Sequence, residues 1–180
     1  QSGRRLSMPL VFKNHSEWVS GVQVQNRENV ATALYVTYTA SSDCPLYPYT
    51  ASVTRSLGPN ASTTFYLPAS DNSSGAGVAI PDGFYGAMEI SSDSADIFAI
   101  VNQTKYTAAS SVGSSYEAFR VDTATSKVSC PLVFRNHSGW DTGLQVQNVG
   151  SANTDISITI TKSPDSSPSG PGAPGPWTFT

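Results

Sequence analysis

The chain holds 180 residues, 38% of them hydrophobic and 13% charged, with a formal net charge of −3 and a pI near 5.2. No basic run extends beyond Arg4-Arg5, which excludes the clustered lysine and arginine that a nucleic-acid surface uses to displace counterions. No apolar run approaches the roughly 18–20 residues of a membrane-spanning helix, so no membrane span is expected.

The polar surface comes instead from 28 serines and 17 threonines, and threonine suits the pleated surface of a strand. Residues 1–8 read as a loosely held polar leader. A sequence opening at Gln1, with no signal peptide, fits a processed secreted chain or an artificially trimmed one. Residues 9–13 form a first strand, Asn14-His15-Ser16 a turn, and residues 22–25 a second strand with alternating apolar positions. In residues 33–39, Leu34, Val36 and Tyr38 face one side, and Tyr35 and Thr37 the other. A loop with Cys44 follows, then strands at 49–57 and 62–67 around Gly58-Pro59-Asn60, a turn sequence.

Residues 68–78 read as a Ser/Gly/Asn loop, and Pro81-Asp82-Gly83 as a turn. Phe84, Met88 and Ile90 share a face of the next strand, where Gly86 is a candidate bulge. Residues 96–102 are the most apolar strand and belong in mid-sheet. Residues 103–114 read as a small-residue loop and 116–122 as an eighth strand.

Residues 9–26 read PLVFKNHSEWVSGVQVQN and residues 131–148 read PLVFRNHSGWDTGLQVQN, with 13 of 18 positions identical at an offset of 122. That offset is the length of a β-sandwich domain, not of a short solenoid repeat. The second copy predicts strands at 131–135, 142–148 and 155–161, then a Pro/Gly/Ser-rich loop at 163–176 and a strand-like end at 177–180. Short alternating strands separated by turn residues predict an all-β, antiparallel sandwich. It holds one complete repeat at 9–130 and the first strands of a second at 131–180. The open strand edges of 131–180 invite pairing with another chain, so self-association into a homopolymer is expected.

Cys44 and Cys130 lie in no CxxC pair. In a secreted chain they are expected to form one disulfide, joining the loop after the third strand to the junction between repeats. Two separate thiols are the alternative. His15 and His137 hold equivalent places in the two copies, so each is read as closing a turn that the following Trp18 or Trp140 caps. No Gly-x-Ser-x-Gly elbow is present. The Asp71/Asp82 and Asp93/Asp96 pairs flank turns without the density of a calcium loop. No catalytic, metal or cofactor site is therefore expected. Asn-x-Ser/Thr occurs at Asn14, Asn60, Asn72, Asn102 and Asn136, candidate glycan sites in a host with the transferase. Trp18, Trp140, Trp177, Tyr35, Tyr47 and Tyr49 could build a sugar-stacking platform, although the place of Trp18 and Trp140 in the repeat favours packing.

The phrases NHSxWxxGxQVQN, PDGFYGA, IFAIVNQ and SYEAF together resemble tandem Ig-like repeats of secreted and cell-surface proteins of bacteria. The form in residues 139–148 resembles that of filamentous, Chloroflexi-type organisms especially; Glu17 replaces its glycine in the first copy. The resemblance spans most of residues 9–161 and implies an Ig-like sandwich acting as an extracellular structural module, without catalytic residues. The expected role is a structural or surface repeat, such as a filament or sheath subunit completed by strand exchange with a neighbour. The alternative is a carbohydrate-binding or adhesin module.

Overall fold

The computed structural model describes residues 2–69 and 78–161, and the backbone of 177–179. Residues 1–149 and 150–180 form two compact units. Asn72 and the stretch 163–176 lie outside the described residues.

The first unit is built from β1 (Ser2–Gly3), β2 (Arg5–Lys13), β3 (Trp18–Asn26), β4 (Thr32–Ala40), β5 (Thr50–Leu57), β6 (Ser62–Tyr66), β7 (Phe84–Ser92), β8 (Ile97–Tyr106), β9 (Ser111–Glu117) and β10 (Phe119–Arg120). All pairings are antiparallel. One sheet runs β1-β8-β3-β6, with β9 also on β8, and the other runs β10-β2-β7-β4-β5. The inward faces of both sheets supply one core. Val22, Val24, Phe65, Ile97, Ala99 and Val101 come from the first sheet; Leu6, Met8, Val11, Leu34, Val36, Tyr38, Phe84, Met88 and Ile90 come from the second. This is the expected antiparallel β-sandwich. The alternation of Leu34, Val36 and Tyr38 against Tyr35 and Thr37 places the first three in the core, because successive side chains leave opposite faces of a strand. Of residues 96–102, all but Asp96 fall in β8, which is flanked by β3 on one side and by β1 and β9 on the other.

Three expectations are corrected. The 1–8 leader is instead largely strand: β2 starts at Arg5, and Leu6 and Met8 are fully buried. Their alternation with Arg5 and Ser7 continues the strand pattern that the polar opening residues obscure. The loop at 103–114 is instead the end of β8 and most of β9, joined by a turn in which Thr107 N–H donates to Ser110 O at 2.9 Å. β9 escaped the sequence pattern because its residues 111–115 are all exposed. It is held by backbone pairing to β8, which needs no apolar side chain. Finally, residues 131–148 form no strand. A strand is stable only against a neighbour, and the neighbours that β2 and β3 use are already taken by the first copy.

The irregularity expected at Gly86 lies across from it. Met8 pairs with Met88 and Val11 with Gly86, so Pro9 and Leu10 of β2 face Ala87 alone. Such a bulge suits Pro9, which has no N–H to offer the ladder. The backbone freed at Leu10 is satisfied from the opposite sheet. Gln103 Nε2 donates to Leu10 O at 2.8 Å, Tyr116 Oη donates to the same oxygen at 2.5 Å, and Leu10 N–H donates to Tyr116 Oη at 3.2 Å. Burial of Tyr116 pushes its phenol well above the usual range, which keeps it a donor.

In the second unit, β11 (Ile158–Ile160) pairs with β12 (Trp177–Phe179) in register Ile158 to Phe179. The offset of 122 puts β11 at the place of Val36, Thr37 and Tyr38 in β4. β12 then pairs it antiparallel, as β5 pairs β4, but four residues out of the equivalent register.

Candidate functional site

The site the repeat marks is the arch that carries the chain from β2 in one sheet to β3 in the other. Asn14, Ser16 and Glu17 adopt positive φ of 49°, 49° and 69°. Left-handed backbone is unfavourable for residues with a Cβ, least so for asparagine. The arch compensates with short bonds. Trp18 N–H donates to His15 O at 2.8 Å and His15 N–H to Trp18 O at 3.2 Å. Phe12 N–H donates to the Ser20 hydroxyl at 2.9 Å. Phe12 stacks on His15 and on Trp18, with centroids 6.2 and 5.7 Å apart, and His15 lies 4.4 Å from the Tyr85 ring. Asn14 Nδ2 donates to Asp82 at 2.9 Å, and Lys13 Nζ lies 3.9 Å from the same carboxylate.

The second copy closes the same arch without a sheet on either side. Asn136, Ser138 and Gly139 have φ of 48°, 50° and 81°. Trp140 N–H donates to His137 O at 2.9 Å and His137 N–H to Trp140 O at 3.0 Å. Phe134 N–H donates to the Thr142 hydroxyl at 2.9 Å, and Phe134 stacks on His137 at 5.7 Å and 11°. The paired His–Trp backbone bonds, the Phe N–H to hydroxyl bond and the Phe–His stack therefore match residue for residue at an offset of 122, whereas the Phe12–Trp18 stack has no counterpart in the second arch. The geometry is local, written by PLVFxNHSxWx[ST] and not by the surrounding fold. Ser20 and Thr142, one of the five differences between the copies, keep the one hydroxyl the arch uses.

What differs is burial. Val22 and Val24 are fully buried, whereas their counterparts Leu144 and Val146 are 49% and 46% exposed, and Trp140 is 66% exposed. Gln147 is instead anchored on the outer face of the second sheet. It accepts a hydrogen bond from Ser7 and donates to Glu89 at 3.0 Å.

The equivalence also reaches beyond residues 9–26. Arg5-Leu6-Ser7-Met8 stand opposite Lys127-Val128-Ser129-Cys130, so the duplicated piece is the whole of β2, the arch and β3. Cys130 thus occupies the place of Met8, a core position. This overturns the expected Cys44–Cys130 disulfide: both thiols are free, Cys44 buried and Cys130 exposed. Cys44 Sγ lies 3.9 Å from Gly83 O.

The histidines and tryptophans of the two copies serve the two arches separately. Among the described residues, no three His, Cys, Asp or Glu side chains are grouped to hold a metal. Asp93 is a turn staple. It accepts from the Thr32 hydroxyl at 2.7 Å, the Ala33 N–H at 3.0 Å and the Ser94 hydroxyl at 2.9 Å, and these bonds, Thr32 first, hold its carboxyl below the ordinary range. Asn60, with φ of 53°, Asn102 on β8, and Asn136 are exposed, whereas the Asn14 amide is engaged by Asp82. Of the candidate aromatic platform, Trp18 packs on Phe12 and Tyr49 on Phe84, with Tyr49 Oη donating to Ala79 O at 2.8 Å. Tyr35 and Tyr47 are exposed.

No family model and no curated protein matches the chain. Among solved structures it is similar to the crystal structure of Thermotoga maritima 1070, at 8% identity and a TM-score of 0.52, over 65% of this chain and 93% of that one. At that identity the likeness concerns the fold alone.

Proposed function

We propose that the protein is a structural repeat module of an extracellular or cell-surface protein of the tandem Ig-like kind. In this reading the segment 131–180 joins one sandwich unit to the next, completed by strands of a neighbouring subunit in a filament or sheath. The observation that carries it is the contrast between Val22 and Val24, fully buried, and Leu144 and Val146, about half exposed in an otherwise equivalent sequence. An apolar strand face designed for a sheet and left open is an association surface. The hydroxyl-rich, weakly charged exterior suits an extracellular coat, and Asn60, Asn102 and Asn136 are positioned to carry glycans.

The test is sedimentation velocity and negative-stain imaging of the full chain over a wide concentration range, beside the Leu144→Asp/Val146→Asp variant. Concentration-dependent linear assemblies that the variant abolishes are expected. A chain that stays monomeric throughout would sink the filament reading.

A further inference from the structure

We propose that the sandwich has two interchangeable occupants for one groove: residues 127–148 can replace residues 5–26 within the same chain. The groove is formed by β7 and β10, which flank β2, and by β8 and β6, which flank β3. It currently holds the first copy. This inference rests on the equivalence of the two copies and is independent of the surface-array reading.

Sequence equivalence at the buried positions is the first support. Leu6, Met8, Val11, Val22 and Val24 are each fully buried, and their counterparts are Val128, Cys130, Val133, Leu144 and Val146. Every one is apolar or, as cysteine, behaves as a small hydrophobe. Pro131 matches the Pro9 that the bulge tolerates. The groove reads the bulge through the Leu10 backbone, which Leu132 presents equally. Pre-organisation is the second support, because the second copy already holds the arch, with the same His–Trp backbone bonds, hydroxyl bond and Phe–His stack, before any sheet receives it.

Chain connectivity supplies the third. β10 is antiparallel to β2, with Arg120 opposite Leu6. A segment entering the β2 place after β10 therefore makes a simple hairpin. Only residues 121–126 must turn. Six extended residues reach about 20 Å, whereas adjacent strands lie about 4.8 Å apart. The first copy, attached through residues 27–31, is released as an N-terminal arm.

Packing accounts for the present occupant. Leu6 to Val128 and Met8 to Cys130 both remove volume from the core, which disfavours the second copy. Glu17 to Gly139 relieves a left-handed residue in its favour. The balance between frames is thus set by a few substitutions and can be reversed by one.

The two cysteines read out the frame. Cys44 is buried and reports unfolding; Cys130 is exposed now but would lie at the Met8 place after exchange. The experiment places a charge in the first copy with Val24→Asp and follows thiol reactivity, circular dichroism and mass in solution. The sandwich should stay folded and monomeric with Cys44 protected, while the Cys130 rate falls at least about tenfold, in proportion to its accessible fraction. The mirror variant Val146→Asp should leave Cys130 as reactive as in the unaltered chain. A gentler pair, Val24→Ala with Val128→Leu, should slow Cys130 measurably without threatening the fold. Loss of structure with both thiols reactive in Val24→Asp, an unchanged Cys130 rate in both first-copy variants, or protection seen only in dimers or larger species would each overturn exchange within the chain. None of these outcomes bears on whether the unaltered chain forms filaments.

Discussion

Gly86 offers the most direct test of how closely β7 is fitted against β4. A Cβ added there would sit 2.2 Å from Thr39 O, 2.8 Å from Ser41 N and 2.9 Å from Ala40 Cα, where ordinary contact begins at 3.4 Å. All three obstacles are backbone at the end of β4, opposite Gly86 in register. They cannot rotate aside, so β4 and β7 must separate locally. Overpacking of this sort costs about 1–3 kcal/mol, and here the upper end applies because no side chain can yield. The smaller freedom of alanine in the unfolded chain returns about 0.4–1 kcal/mol. The net destabilisation of Gly86→Ala is therefore about 2 kcal/mol. At about 2–4 °C per kcal/mol for a chain of this size, Tm should fall by about 4–8 °C. Gly58→Ala is the matched control, since its Cβ would meet only Ala61 Cβ at 3.8 Å. Thermal unfolding followed by circular dichroism measures both. If Gly86→Ala melts within 1 °C of Gly58→Ala, the steric argument at this site is wrong.

The remaining predictions concern the arch and the Asp93 staple. Glu17→Gly removes a side chain at φ of 69° and copies the glycine of the second arch, so it should stabilise the chain by about 1 kcal/mol in urea denaturation; a destabilised variant would show that Glu17 contributes more than backbone shape. Asp93 has a native pKa depressed by Thr32, Ala33 and Ser94. Its contribution is therefore full above the unfolded value of about 3.9 and lost as pH falls through the native one. The stability gap between the unaltered protein and Asp93→Ala should shrink as pH falls from about 5 towards 2, and a gap independent of pH would refute the assignment.

Much of the sandwich was legible in the sequence because a strand's side-chain period is a property of the strand itself. The alternation at Leu34, Val36 and Tyr38, the apolar run of β8 and the Pro81-Asp82-Gly83 turn all landed where their chemistry placed them. The arch was legible for a stronger reason: the bonds its two copies share lie within nine residues, Phe12 to Ser20 in the first, so both close alike in different surroundings. At Gly58-Pro59-Asn60 the turn was right, but the positive φ falls on Asn60.

Pairing was decided only by the tertiary structure. Residues 5–8 look like a basic leader until β7 and β10 flank them. The serine-rich β9 is a strand because β8 offers it an edge. The bulge at Pro9 and Leu10 holds because Gln103 and Tyr116, about a hundred residues away in the chain, reach across to it. Cys130 looked like the mate of Cys44 by count, yet it is exposed while Cys44 is buried, and its counterpart in the repeat is the core residue Met8. Sequences at 5–26 and 127–148 that agree at 14 of 22 positions end in different states, one buried as two strands and one exposed. A strand's stability resides in its neighbours, and this groove holds one occupant at a time.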